Sequence, residues 1–115
     1  MIYHILPASV WQSQAPDQPY RGDTLATEGF IHCTGEPDWL LKVANYIYRH
    51  QPGDFVILCI APDRVHAAIK WEKADGHEFP HIYGPLNLDA VEYMVQFPRD
   101  ATGQFVLPLK LSETG

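Results

Sequence analysis

Two short segments hold most of the side chains whose types and spacing could do chemistry. The first is E-G-F-I-H-C-T at residues 28–34, and the second is F-P-H-I-Y-G-P-L at residues 79–86. Histidine exchanges protons near neutral pH, and tyrosine joins a flat ring to a hydroxyl group. These residue types suit a site that holds a small polar molecule and moves protons on it.

The first segment is predicted to be a strand over residues 30–34. Side chains of a strand alternate between its faces, so Ile31 and Cys33 share a face that suits the core, while His32 and Thr34 share the other. The same alternation argues against a nucleophile pair of Cys33 and His32. His32 is either a site residue or an ordinary hydrogen-bonded core histidine, and the residues alone leave both open.

The second segment is predicted to be extended over residues 81–84, with Pro80 and Pro85 at its ends. His81 and Tyr83 then project to one side, and the prolines hold them stiffly, as a preorganised site requires. The alternative is an edge segment whose prolines prevent aggregation.

One carboxylate, Glu72, joins these candidates from a short strand predicted over residues 69–72. It either belongs to the candidate site or is an ordinary exposed carboxylate. Residues 77–81 also match the zinc-protease pattern H-E-x-x-H, which works only on a helix. Because Gly76 precedes this run and Pro80 interrupts it, we expect no helix and no metal site there.

The elements that must position these residues are short and mixed. Strands are predicted over residues 3–6, 54–61, 91–97 and 105–109, a short helix over residues 8–14, and a long loop over residues 15–24. The main helix places Leu40, Val43, Ala44 and Ile47 on one buried face. It begins near Pro37 and ends at residues 52–53, Pro-Gly. The predicted fold class is α+β.

The composition restricts the classes of partner. With 115 residues the chain has room for a single domain, residues 1–115, and the net charge of −6 shows no basic stripe for duplex nucleic acid. No apolar run is long enough to span a membrane, and the start shows no secretory signal. Cys33 and Cys59 lack metal or disulfide spacing, so we expect a cytoplasmic monomer with reduced thiols. Dinucleotide, P-loop and nucleophile-elbow motifs are absent.

Together the two segments and W-E at residues 71–72 resemble the family catalogued as domain of unknown function 952, whose members are small, mainly bacterial proteins without an established activity. The resemblance covers nearly the whole chain. It extends to residues 2–5, Trp11, residues 54–60 and residues 103–108.

The resemblance implies a fold similar to that of the ADP-ribosyltransferases, a split and strongly bent sheet with a cleft for NAD or an ADP-ribosyl group. His32 and Thr34 match the H-x-[ST] element of those proteins. By this resemblance His32 bonds a ribose hydroxyl, Thr34 meets the nicotinamide amide, and Tyr83 stacks on the nicotinamide. Glu72 corresponds to the glutamate that stabilises a cationic sugar, although it precedes the tyrosine here instead of following it.

Two residues near the long loop are candidates for covering the ligand. The resemblance implies a basic residue on the pyrophosphate, for which Arg21 is the candidate ahead of Lys42. Trp11 is a candidate for stacking on a ring, although a hydrophobic staple for the first helix explains it better.

We therefore expect a polar cleft lined by His32, Thr34, Glu72, His81 and Tyr83 that binds NAD or another nucleotide-derived molecule. If the protein is an enzyme, the reaction is transfer or hydrolysis at the glycosidic carbon. The alternatives are a non-catalytic binding module and a protein-interaction domain. A concave site at His32 favours small-molecule binding, and a flat patch at Tyr83 favours protein interaction.

Overall fold

The chain forms two three-stranded antiparallel sheets with helices packed around them, and the computed structural model describes residues 1–112. The last three residues of the predicted domain, 113–115, lie outside the described residues. In chain order the elements are β1 (Ile2–Pro7), α1 (Ala8–Gln12), α2 (Leu25–Glu28), β2 (Ile31–His32), α3 (Pro37–Ile47), β3 (Phe55–Ile60), β4 (Ala68–Ala74), β5 (His77–Tyr83), β6 (Val91–Phe97) and α4 (Leu109–Ser112).

The first sheet, in the order β1-β3-β6, separates two apolar clusters. Every residue of β3 is buried, as its continuous apolar run predicts for a strand covered on both faces. Val56 and Leu58 belong to the cluster that also contains Ile82 of β5. Ile57 and Cys59 belong to the cluster on the opposite face, which α3 covers.

The second sheet, in the order β2-β5-β4, has only one face in the core. Ile31 pairs with Ile82 on that face, and His32 pairs with His81 on the other. Because β5 is the middle strand, the alternative of an edge segment is wrong. Pro80 is tolerated inside it since β2 ends opposite His81, which leaves this proline a strand neighbour on one side only.

The two sheets are joined immediately after β2. Tyr3 of β1 and Thr34 exchange backbone hydrogen bonds of 2.8 Å in both directions. The segment that begins as β2 therefore pairs with β5 in one sheet and with β1 in the other. His32 and Thr34 lie where the chain passes between the sheets.

Helix α3 only partly follows the predicted pattern. It begins at Pro37 as expected and ends at Ile47, ahead of the predicted stop at residues 52–53. Leu40 and Ala44 are completely buried against the first sheet, whereas the side chain of Ile47 is 58% exposed. The single buried face predicted for this helix is therefore wrong at Ile47.

Most of the remaining expectations hold. The strand predicted over residues 30–34 is reduced to Ile31–His32, and the helix predicted over residues 8–14 ends at Gln12. The strands predicted over residues 3–6, 54–61 and 91–97 are confirmed, and the strand predicted over residues 69–72 extends to Ala68–Ala74. The strand predicted over residues 105–109 is wrong, because Phe105 makes only an isolated bridge to Arg99 and Leu109 begins α4. The mixture of helices with antiparallel sheets agrees with the α+β class.

None of the helices in residues 1–112 has the length and hydropathy needed to cross a membrane.

Candidate functional site

A cavity of about 520 Å³ lies over the face of the second sheet that is turned away from the core. Its floor is formed by β2, β5 and the residues beside them, and its walls by β1, the C-terminal part of α3 and the loop before α2. The side chains on its floor are those of Phe30, His32, Thr34, Phe79 and His81. The site is concave and combines apolar rings with a few polar groups, as small-molecule sites generally do.

Stacked rings form the centre of the floor. The Phe30 ring lies on the His81 imidazole, with centroids 4.1 Å apart and planes at 19°. His32 meets the edge of His81 at 5.3 Å. The strand pairing of His32 with His81 brings these groups together, and the residue before β2 adds the phenyl ring. The stacking holds the imidazole of His81 in one orientation.

His81 is also fixed by a carboxylate. Glu72 Oε1 accepts hydrogen bonds from His81 Nδ1 at 2.8 Å and from the Tyr83 hydroxyl at 2.5 Å. The bonds from Tyr83 and then His81 lower the pKa of Glu72, and the bond to this carboxylate raises the pKa of Tyr83. An ionised carboxylate only accepts hydrogen bonds, so a neutral His81 carries its proton on Nδ1.

This tautomer leaves Nε2 of His81 as the proton acceptor of the ring. Within residues 1–112, Nε2 has no hydrogen-bond partner, although the side chain is only 10% exposed. A ligand hydroxyl or a water in the cavity can donate a hydrogen bond to this nitrogen. A carboxylate behind an imidazole is the arrangement that orients a histidine for proton transfer.

His32 and Thr34 supply the other polar groups of the floor. His32 Nε2 lies 3.1 Å from Oε2 of Glu28, four residues earlier in the chain, and both side chains are 48% exposed. Thr34 is buried, its backbone is bonded to Tyr3, and its hydroxyl has no hydrogen-bond partner in the described part of the chain. Thr34 therefore offers the cavity a free hydroxyl on a fixed backbone.

A buried pair holds the His32 backbone in place. His4 Nδ1 donates to the carbonyl oxygen of His32 at 2.6 Å, and the Tyr20 hydroxyl donates to His4 Nε2 at 2.7 Å. Burial lowers the pKa of His4 to about 4, so the ring is neutral and these donor roles are the only consistent ones. The pair links β1, β2 and the long loop.

The structure brings together some of the predicted site residues and not others. His32, Thr34 and His81 line the cavity. Glu72 and Tyr83 do not line it, but both contact the floor from the same face of the sheet, Glu72 through His81 and Tyr83 through Phe30 at 5.2 Å between centroids.

The two residues predicted to cover the ligand lie elsewhere. Trp11 packs edge-on against Tyr20 at 6.3 Å between centroids. Arg21 lines a separate depression beside the long loop. Neither of them lines the cavity.

Sequence reasoning missed Phe30 and His4 as parts of the site. The alternation already placed Phe30 on the face of His32, so its position was available from the pattern. His4 is a polar residue inside an apolar strand, and a buried polar side chain normally has a hydrogen-bond partner.

The H-E-x-x-H run lies in β5 and not in a helix, as expected. On a strand, His77 and His81 are about 13 Å apart along the chain, which is too far to share one metal ion. No group of three or more potential metal ligands occurs in residues 1–112.

Comparisons with known proteins give a family and one solved fold. The family model described as "Protein of unknown function (DUF952)" matches residues 5–94. The crystal structure of protein CC0527 from Caulobacter crescentus is 26% identical in sequence, with a TM-score of 0.83 over 96% of this chain and 97% of that chain. Its solution structure gives a TM-score of 0.73 over 97% and 94% of the two chains. No curated protein matches the sequence.

Proposed function

This chain belongs to the family described as "Protein of unknown function (DUF952)", and we propose that its cavity binds a nucleotide-derived small molecule of the NAD type. We also propose that the two sheets are arranged as in the ADP-ribosyltransferases. The support for the fold is the position of the H-x-[ST] element, since His32 and Thr34 lie where the chain passes between the sheets.

One observation carries the proposal: the polar groups and stacked rings converge on a concave site. A flat patch around Tyr83 would have favoured a protein partner, but Tyr83 is half-buried and packs beneath Phe30. The ring of a nicotinamide or a purine fits beside Phe30 and Phe79, which line the cavity. The groups that bond a sugar are imidazole nitrogens and a hydroxyl, and the cavity offers both.

The roles of the polar residues follow from their free atoms. Nε2 of His81 accepts a hydrogen bond from a ribose hydroxyl, and the Thr34 hydroxyl bonds the amide of the nicotinamide. His32 is the second ribose ligand through the ring nitrogen that does not face Glu28. Glu72 positions His81 through a hydrogen bond, Tyr83 donates to the same carboxylate oxygen, and neither residue lines the cavity.

A catalytic version of the site breaks the bond between the nicotinamide nitrogen and the ribose carbon. Nicotinamide leaves with the bonding electrons, and water or another acceptor adds to that carbon and gives up a proton. In this version His32 binds the ribose, and the carboxylate of Glu72 reaches the cationic sugar and stabilises it. A non-catalytic binding module is the second candidate. It is favoured by the position of Glu72, whose Oε1 is occupied by two donors and which does not line the cavity.

Binding is tested by calorimetric titration of NAD and ADP-ribose into the wild-type protein and into His81→Ala. We expect saturable binding that weakens about tenfold or more in His81→Ala, because a hydrogen bond and the ring stack are lost. The matched control is His66→Ala, since His66 is exposed and lies in the connection before β4. Absence of binding at millimolar ligand, or equal weakening in both variants, contradicts the proposal.

Catalysis is tested by the release of nicotinamide from NAD with Glu72→Gln. If Glu72 stabilises the transition state, kcat falls much more than the affinity for NAD. Equal turnover in wild type and variant removes Glu72 from the reaction. NAD binding without turnover in either protein favours the non-catalytic module.

A further inference from the structure

The cavity walls carry negative charge. The fixed charges that line it are the carboxylates of Asp23, in the loop before α2, and Asp75, in the turn between β4 and β5. No lysine or arginine from residues 1–112 lines the cavity. Asp23 lines the same cavity as Tyr48, and its carboxylate adds to burial in raising the pKa of Tyr48.

The histidines of the floor do not reverse this balance. His32 lies 3.1 Å from the carboxylate of Glu28, and His81 lies 2.8 Å from that of Glu72. Each of these imidazoles, when protonated, is neutralised by its own carboxylate. His4 is neutral because burial lowers its pKa to about 4. The cavity therefore has no net positive charge to offer an anion.

The backbone at one wall of the cavity carries a partial negative charge, as the side chains do. The part of α3 that borders the cavity is its C-terminal end, with Val43, Ile47 and the following Tyr48. The free carbonyl groups at the C-terminus of a helix carry roughly half a negative elementary charge. This end of α3 attracts cations and repels phosphate.

The apolar part of the cavity suits a cation as well. The rings of Tyr3, Phe30 and Phe79 line it, and the faces of such rings attract a positive charge. Negative walls and aromatic faces together provide an environment for a positively charged flat ring.

We infer that the cavity takes the cationic ring and ribose of an N-glycoside such as nicotinamide riboside, and that it excludes phosphate groups. The inference rests on the proposed function and narrows it from nucleotides to nucleosides with a cationic ring. A phosphorylated ligand then binds only by placing its phosphate outside the cavity.

An alternative arrangement would place the phosphates of a ligand outside the cavity, on the side chain of Arg21. The depression that it lines shares Asp23 with the cavity, so a pyrophosphate could extend from one to the other. Our inference predicts no contribution from this arginine, because Asp23 lines both spaces and its carboxylate repels a phosphate that extends from one to the other.

Matched ligands separate the possibilities in calorimetric titrations at constant ionic strength. We expect nicotinamide riboside to bind about tenfold more tightly than nicotinamide mononucleotide, which differs by the phosphate, and than dihydronicotinamide riboside, which lacks the ring charge. Arg21→Ala is expected to leave all three affinities unchanged. Tighter binding of the mononucleotide or of the dihydro form overturns the inference and leaves the proposed function intact. Absence of binding by all three and by NAD overturns both.

Two carboxylate variants locate the source of the selectivity. Asp23→Asn and Asp75→Asn together are expected to reduce the preference for the riboside over the mononucleotide to about threefold or less. Asn is suitable at position 75, since Asp75 has a positive φ of 52° that Asn also adopts. Asp63→Asn, at an exposed turn, is the matched control and should keep the full ratio. An unchanged ratio in the double variant contradicts the charge argument.

Discussion

The two sheets of this protein differ in what covers their faces. The first sheet is buried on both faces along β1 and its central strand β3, which has no exposed residue, and only its edge strand β6 exposes alternate residues. The second sheet has one apolar face in the core and one face of histidines and aromatic rings over the cavity. The first sheet therefore contributes most of the buried apolar side chains of the core, while the second sheet presents polar groups on one of its faces.

The helix between the sheets shows the same division within a single element. Leu40 and Ala44 pack on the first sheet, Ile47 lines the cavity of the second, and Val43 contacts both. If the division is right, substitutions near the first sheet affect mainly stability, and substitutions on the cavity face affect mainly binding.

The largest expected effect tests this division with the same substitution at two isoleucines. Ile57→Ala, in the completely buried β3, is expected to lower the free energy of unfolding by about 2–5 kcal/mol, because burial is lost and a cavity forms. Ile47→Ala, at the 58% exposed position of α3, is expected to change it by less than about 1 kcal/mol. Urea denaturation of both variants measures the difference, and similar losses would contradict the comparison.

The next effect concerns the buried histidine that supports His32. The pKa of His4 is about 6.5 in the unfolded chain and about 4 in the folded protein, so the unfolded chain binds the proton more readily. The difference in the pKa of His4 therefore contributes fully to the free energy of unfolding above pH 6.5. This contribution, ~3 kcal/mol in total, is lost as the pH falls towards 4.

Denaturation at pH 7, 6 and 5 checks this dependence in wild type and in His4→Asn, which carries no titrating ring. The variant should be less stable at pH 7 and should show a shallower loss of stability between pH 6.5 and 5. The pKa of Glu72 is lowered in the folded protein, so protonation of Glu72 reduces the stability only below its ordinary pKa of 4.5. The same slope in both proteins would show that His4 is not the responsible group.

The smallest effect lies at the glycine that leads into β2. Gly29 follows α2 with φ of 87°, and a Cβ there would meet nothing within 4 Å. Gly29→Ala is thus expected to lower stability by about 1 kcal/mol through backbone strain alone. Gly29→Asn should lose less, because Asn tolerates this conformation. Equal losses in the two variants, measured by thermal unfolding, would point to a steric cause instead.

Burial patterns made much of the fold predictable. The apolar run of β3 and the alternation around His32 are local signals, and both were interpreted correctly. The failures concern partners distant in sequence. Residues 105–109 have strand-like composition, but only Phe105 finds a neighbouring backbone, at Arg99. Ile47 has the helical spacing of a core residue, but the second sheet leaves a cavity where it points.

Only part of the candidate site was predictable from the residues, and its arrangement was not. The motif grouped His32, Thr34, His81 and Tyr83, yet only pairing of β4 with β5 brings Glu72 within reach of His81 and Tyr83. Strand register between distant segments is not encoded in local spacing, so the sequence left open whether Glu72 has a partner at all. The outward position of Arg21 depends on the path of the long loop, for which the pattern has no signal.

The central claim is that the cavity over the second sheet is a small-molecule site, and amide shift mapping by NMR tests it most directly. Nicotinamide riboside and NAD are titrated into labelled wild-type protein and into His32→Ala. The account predicts saturable shifts at residues 30–34 and 79–81 that weaken in the variant, with few changes in β3 and β6. No shifts up to millimolar ligand, or shifts confined to the depression at Arg21, would contradict it.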